Sequence, residues 1–359
     1  MGNPAQMSPK ERFVTAATNR VPDRVPVCPW LTSAFFSDYY GIDHLAWYSD
    51  QEIQLRAMLE FYTRFPDMQY FPGFRASAGS SAEASGLGCK IETPEGQSPH
   101  ALPVIEDITR DVKKLKVSDP YQDGRLPGIL EKYAWLSEQL PKHGFAVTAG
   151  FLHAPFDVAS LVHNLEDLMI DLIDHPAEIH RMLEIIAESC IAYMKAQWDV
   201  VGGTLVQVMI ADDVGGMLSP SQWWEFSGQY IKRVLEEAPR GVVTIVHNCL
   251  KTDHILEMYP DTGADALQMD PEIDLADAKR RIGDQMALIG NLHQLKTLEH
   301  GTPAEVEAEC REMIRKGGPG GGYILSASGC LSRETPLENL DAMVTAAEKY
   351  GTYPLKDLQ

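Results

Sequence analysis

His247 and Cys249 stand two residues apart at the end of the apolar run 242–246, and Cys330 follows a second run, 323–325. Alternate residues of a strand share a face, so His247 and Cys249 project together. Imidazole and thiolate are borderline-soft donors that suit Zn2+, and three protein ligands leave a fourth position open, as a catalytic zinc requires. The same residues have plainer uses. A cysteine at a strand end often serves as a small buried hydrophobe, and a histidine there is often satisfied by a backbone carbonyl. Spacing leaves both uses open. Asp212 and Asp213 follow the run 205–210. Only one of two adjacent carboxylates can point inward, where it could ligate or orient a metal or hold a proton. A helix-capping or solvated acid is the alternative. His153 after 146–149, Asp270 after Met269, and Asn291 and His293 after 287–289 are further polar residues at run ends. So many of them suit an enzyme better than a binding scaffold.

These residues need a frame that gathers strand ends. The runs 25–28, 146–149, 205–210, 242–246, 264–269, 287–289 and 323–325 are short and apolar without clean alternation, as strands buried on both faces are. Between them, apolar residues recur at three- and four-residue spacing over 176–198, 220–237, 275–281, 303–316 and 336–350, with further helices at 9–18 and 50–65. Ser219-Pro220, Thr302-Pro303 and Thr335-Pro336 each place a hydroxyl at the N-cap and proline at the first helical position. Alternating strand and helix predicts an α/β fold with parallel strands. No Gly-x-Gly-x-x-Gly follows the first strand, which removes support for an open dinucleotide-binding sheet. The expectation is a (β/α)8 TIM barrel with an N-terminal helical extension. It forms a single domain over 1–359, with the barrel core at about 20–350 and an excursion at 72–145. In such a barrel, function sits where strands end.

The 359 residues, 44% hydrophobic and 23% charged, suffice for one large core. A net charge of −20 repels nucleic acid. No apolar run reaches 18 residues, so no membrane helix is expected. The first ten residues lack an apolar segment, so the expected location is cytoplasmic, with the six cysteines reduced. Trp30, Phe35, Phe36, Tyr39, Tyr40, Trp47 and Tyr48 form a dense aromatic cluster. It either packs an N-terminal cap or walls the barrel mouth. Arg75 could reach a ligand carboxylate or phosphate, or pair with a surface acid. Exposed barrel helices leave a homodimer open.

Pro22-Asp23-Arg24-Val25-Pro26-Val27, Asp123-Gly124-Arg125-Leu126-Pro127, Asp212-Asp213, Leu218-Ser219-Pro220, Gly290-Asn291, Gly320-Gly321-Gly322-Tyr323-Ile324-Leu325 and Gly329-Cys330 together carry a likeness. Through them nearly the whole chain resembles the uroporphyrinogen decarboxylase superfamily, which implies the same barrel. Decarboxylases of that superfamily carry an arginine-rich Met-Arg-Gln-Ala-Gly-Arg stretch that binds propionates. The corresponding segment here, Val27-Cys28-Pro29-Trp30-Leu31-Thr32, has no arginine. The chain is more similar to the corrinoid-dependent methyltransferase branch, whose His-x-Cys and later Cys bind zinc and match His247, Cys249 and Cys330. It departs at Leu250, where thiol-methylating members usually have glycine.

That branch implies a zinc-dependent methyltransferase. It would move a methyl group between a corrinoid (cobalamin) and a small thiol, folate or methyl ether, with demethylation as the reverse direction. The chain has no Asp-x-His-x-x-Gly motif, so the corrinoid would come free or on a separate corrinoid protein. Asp212 or Asp213 would be a fourth ligand or an outer partner of the metal. His153 and Asn291 would bind substrate or the corrinoid edge. Two other readings stay open. One is a decarboxylase of a polycarboxylate or tetrapyrrole substrate, with the cysteines as buried hydrophobes. The other is a non-catalytic barrel that docks a corrinoid protein.

Overall fold

The unalternating apolar runs become strands covered on both sides. The computed structural model of the chain describes residues 6–355 apart from 77, 78, 80, 95, 96 and 98. A short antiparallel hairpin, β1 (Lys90–Glu92) with β2 (His100–Leu102), comes first. Six parallel strands follow: β3 (Ala149–His153), β4 (Gln207–Ala211), β5 (Val243–His247), β6 (Ala266–Gln268), β7 (Ala287–Leu292) and β8 (Tyr323–Ala327). They pair in chain order. Register sets His153 beside Ala211, Ala211 beside His247, and His247 beside Gln268. Residues in register on parallel strands share a face, so one layer of side chains crosses four strand ends.

Two less regular segments complete the ring. Val27 bridges Leu325 in parallel, and the Cys28 N–H donates to the Leu325 carbonyl at 2.9 Å. At the other edge the Phe74 carbonyl accepts the N–H groups of Thr148 (3.1 Å) and Ala149 (3.2 Å). The two segments meet where the Trp30 and Phe71 rings lie 5.3 Å apart. This is the expected (β/α)8, TIM-barrel arrangement. Helices Pro9–Ala17, Ser33–Tyr39, His44–Ser49 and Gln51–Arg64 lie in its N-terminal portion. The long helix Pro176–Val200 buries Met182, Leu183, Ile186, Cys190, Ile191 and Met194. Each large apolar side chain so covered contributes about 1.5–3 kcal/mol. No helix among the described residues is long and apolar enough to cross a membrane. All six cysteines are free.

Three expectations shift. The strand expected at 146–149 forms instead as β3, Ala149–His153. The Thr148 hydroxyl donates to the Gln69 carbonyl (2.8 Å) and accepts the Phe74 N–H (3.0 Å), which ties residue 148 to the preceding segment. The expected helix 220–237 contains a π-helical turn, Trp224–Gly228. Its Ser227 hydroxyl donates to Asp212 at 2.5 Å. β7 runs on to Leu292, so Asn291 lies within the strand rather than after it.

The excursion has a contact that only glycine permits. Gly124 has φ +58°, and a Cβ there would overlap the Ser85 carbonyl. Gly124→Ala is expected to destabilise the protein by about 2 kcal/mol or more, read as a lower urea midpoint with unchanged slope.

Candidate active site at the barrel mouth

β5 ends on His247, which is 4% exposed. Its ring stacks on Trp30, with centroids 4.3 Å apart and planes 8° from parallel. Its Nδ1 meets the Gln268 side-chain oxygen. Gln268 Nε2 donates to the carbonyls of Ala327 (3.1 Å) and Ser328 (2.6 Å), which fixes the amide with its oxygen toward the imidazole. That oxygen can only accept, so Nδ1 carries the hydrogen and Nε2 presents a lone pair. Nε2 lies 3.5 Å from Asp213 Oδ1. The same oxygen accepts the Cys249 N–H at 2.8 Å. Ligand atoms of Asp213, His247 and Cys249 all fall within 4.8 Å of one another. Cys249 is exposed as a residue, but burial of its sulfur, and then the Asp213 charge, push its thiol pKa up. A lone pair, a carboxylate and a thiol that converge in this way are a donor set suited to a cation.

The two adjacent aspartates divide as strand geometry requires. Asp213 faces the mouth, whereas Asp212 is fully buried behind it. Asp212 accepts from Trp223 Nε1 (2.8 Å) and the Ser227 hydroxyl (2.5 Å). Burial pushes its carboxyl up to about 7, against the pull of those two hydrogen bonds. Asp212 therefore braces the strand end and meets no mouth group through its side chain. Asp157 holds the next loop by accepting the N–H groups of Asp213 (2.9 Å), Val214 (2.9 Å) and Gly215 (3.4 Å). Burial first, then Asp212 and Asp213, raise its carboxyl well above the ordinary value.

On β3 a Cβ at Gly150 would meet Gln197 and Leu205 on the helix side, so Ala149, Phe151 and His153 face the interior. His153 Nδ1 lies 3.2 Å from Glu83 Oε2, and its N–H donates to Glu83 Oε1 at 2.9 Å. Burial pushes the Glu83 carboxyl up, but the charge and hydrogen bonds of His153 more than offset this and leave it below the usual range. The pair is an imidazole oriented by a buried carboxylate. Its other ring nitrogen has no hydrogen-bond partner among the described residues.

Cys330 and Asn291 sit elsewhere. The residue after Cys330 donates its N–H to the Trp30 carbonyl, which keeps Cys330 on the same rim as His247. Its sulfur contacts the Thr32 hydroxyl at 2.6 Å and lies outside the Asp213–His247–Cys249 group. Asn291 spends its amide on the carbonyls of Asp270 (2.9 Å) and Ile273 (2.7 Å). Sequence reasoning missed Glu83, Asp157 and Gln268. Gln268 had a legible signal: a polar residue that ends an apolar run one strand on from His247.

The family model described as uroporphyrinogen decarboxylase (URO-D) matches residues 8–350. The chain belongs to the uroporphyrinogen decarboxylase family. It is 28% identical over 281 residues to the uroporphyrinogen decarboxylase of Pseudoalteromonas translucida, across 75% of each chain. It is 30% identical over 283 residues to that of Dechloromonas aromatica, across 75% of this chain and 76% of the relative. Among solved structures, a methyltransferase from Methanosarcina mazei superposes with a TM-score of 0.81 over 96% of this chain and 99% of that one, at 23% identity. A B12-independent methionine synthase from Shewanella superposes with a TM-score of 0.55 over 91% and 97%, at 10% identity. At such identities these two likenesses concern the fold alone.

The expectation of methyl transfer to or from a corrinoid is therefore corrected. The curated relatives named above are decarboxylases, matched over three-quarters of the chain. The methyltransferase likeness is one of barrel shape, which both chemistries share. What had favoured the methyltransferase branch was the absence of arginine from Val27–Thr32 together with three residues, of which His247 and Cys249, but not Cys330, fall in the group within 4.8 Å.

Proposed function

We propose that the chain decarboxylates a polycarboxylate substrate of the tetrapyrrole type in the barrel mouth. Kinship with uroporphyrinogen decarboxylases over residues 8–350 carries this reading. The His153–Glu83 pair gives it a chemical device. When the substrate's C–CO2− bond breaks, its electron pair stays on carbon and CO2 leaves. A proton must then fill the vacated position. His153, held by Glu83 at Nδ1, delivers it from its other ring nitrogen and is reprotonated from water. The low-dielectric mouth favours loss of charge from a carboxylate as it becomes neutral CO2.

Asp213, His247 and Cys249 would hold a divalent ion, and zinc suits their mixed donor set. Bound there, zinc would supply Lewis-acid polarisation of a substrate group. The fixed Nδ1 tautomer of His247 keeps the ligating nitrogen ready, the outer-partner arrangement common at zinc sites. Purified protein is expected to carry about one zinc per chain by elemental analysis, lost in His247→Ala. Metal-free preparations that still bind no added zinc would remove this part of the reading.

The function is tested with uroporphyrinogen under anaerobic conditions. Trapped CO2 and porphyrins with fewer carboxylates are the expected products. Unchanged substrate, with related pyrrole polycarboxylates also left intact, would sink the decarboxylase reading.

A further inference from the structure

In a chain of net charge −20, a buried cation has acids to choose from. Of the arginines not fully exposed, Arg12, Arg24, Arg233 and Arg281 each pair with a carboxylate. Arg75 and Arg125 have no ion-pair partner among the described residues. The Arg75 guanidinium lies 4.3 Å from the centroid of the interior-facing Phe151 ring. Its charge also reaches the phenols of Tyr133, Tyr62, Tyr48 and Tyr193. The charge of Arg125 reaches the same Tyr48 phenol. Lys132, which feels the charge of Arg125, donates to the Tyr48 carbonyl at 2.5 Å. Burial lowers the pKa of all three cations. A guanidinium taken from water without a counter-charge is costly, and an incoming anion offsets that cost. Its planar fork matches a carboxylate with two parallel hydrogen bonds. Stacked on an aromatic face, it is also held in one orientation.

We propose that Arg75 and Arg125 form a seat for the carboxylates of a polycarboxylate ligand, with Arg75 as the main anchor. This deepens the decarboxylase reading and rests on it for the identity of the ligand. Two cations whose charges both reach Tyr48 suit a molecule with carboxylates on separate arms. A single small anion would engage only one of them.

The test uses uroporphyrin, a stable octacarboxylate, with its octamethyl ester and inorganic phosphate as comparisons. Fluorescence titration of the intact chain is expected to show binding of the free acid and none of the ester. Arg75→Met should weaken binding by about 10-fold or more, and Arg125→Met by less. Arg75→Lys, which keeps the charge and loses the fork, should recover only part; if Arg75→Met does not fold, this variant carries the comparison. Equal binding of acid and ester, full displacement by phosphate, no binding of the free acid, or variants that bind like the wild type would each overturn the seat. CO2 release is measured separately. Arg75-dependent binding without CO2 release would sink the decarboxylase reading and leave the seat. CO2 release with KM unchanged in Arg75→Met would do the reverse.

Discussion

His153→Gln is expected to lower kcat for uroporphyrinogen by about 10²–10⁴-fold, the range that a positioned proton donor contributes. Glutamine fills nearly the same volume and can still meet Glu83, so the site should keep its shape. What it cannot do is carry a proton to carbon. KM should change little, since His153 acts on the reacting bond rather than on the carboxylates held elsewhere. Glu83→Gln is the companion experiment. It leaves the imidazole in place and removes the charge beside His153 Nδ1, 3.2 Å away. A smaller fall, about 10–100-fold, is expected, because the imidazole loses its orientation and the support for its charged form. If His153→Gln turns over at the wild-type rate, the proton comes from another group and the role of His153 is lost.

The part of this site that sequence could show was the part that depends on a period of two. His247 ends one strand and Cys249 follows two residues on, so extending the alternation by one step puts them on one face, where they converge. Asp213 joins them because β4 pairs with β5 in register, Ala211 beside His247. Order of strands made that neighbourhood foreseeable. Cys330 depended instead on the path of the chain beyond β8, where Thr32 from the first barrel segment meets its sulfur. No local pattern encodes that meeting. Glu83 and Asp157 were invisible for a related reason. Each is a helix residue whose importance comes from backbone N–H groups supplied by another element: His153 for Glu83, and residues 213–215 for Asp157. Arg75 could be noticed as a residue, but lacking a partner is a property of the folded molecule. The barrel was legible from its runs. The reaction was not, because the pattern that builds a barrel is indifferent to what its mouth does.

Asp157→Ala should cost about 2–4 kcal/mol of stability and weaken the metal site by about 10–100-fold. Two effects oppose each other here. Asp157 lies near Asp212 and Asp213, and removing one of three neighbouring acids relieves repulsion. Yet burial, and then Asp212 and Asp213, already push the Asp157 carboxyl toward its neutral form, which limits what that relief can return. What the substitution mainly removes is an acceptor for the N–H groups of Asp213, Val214 and Gly215. Left without partners in a part-buried turn, they carry a desolvation cost, greatest at the buried Gly215. The loop that presents Asp213 to His247 and Cys249 then loses its anchor, and the donor set loosens with it. Asp157→Asn separates the two effects. Its amide keeps the shape of the carboxyl and one of the two accepting oxygens that Asp157 uses, so it should cost less than the alanine change. Urea unfolding gives the stabilities, and competition with a zinc indicator gives the affinities. Equal stability of Asp157→Ala and the wild type would mean that the loop holds itself, and the support assigned to Asp157 would fall.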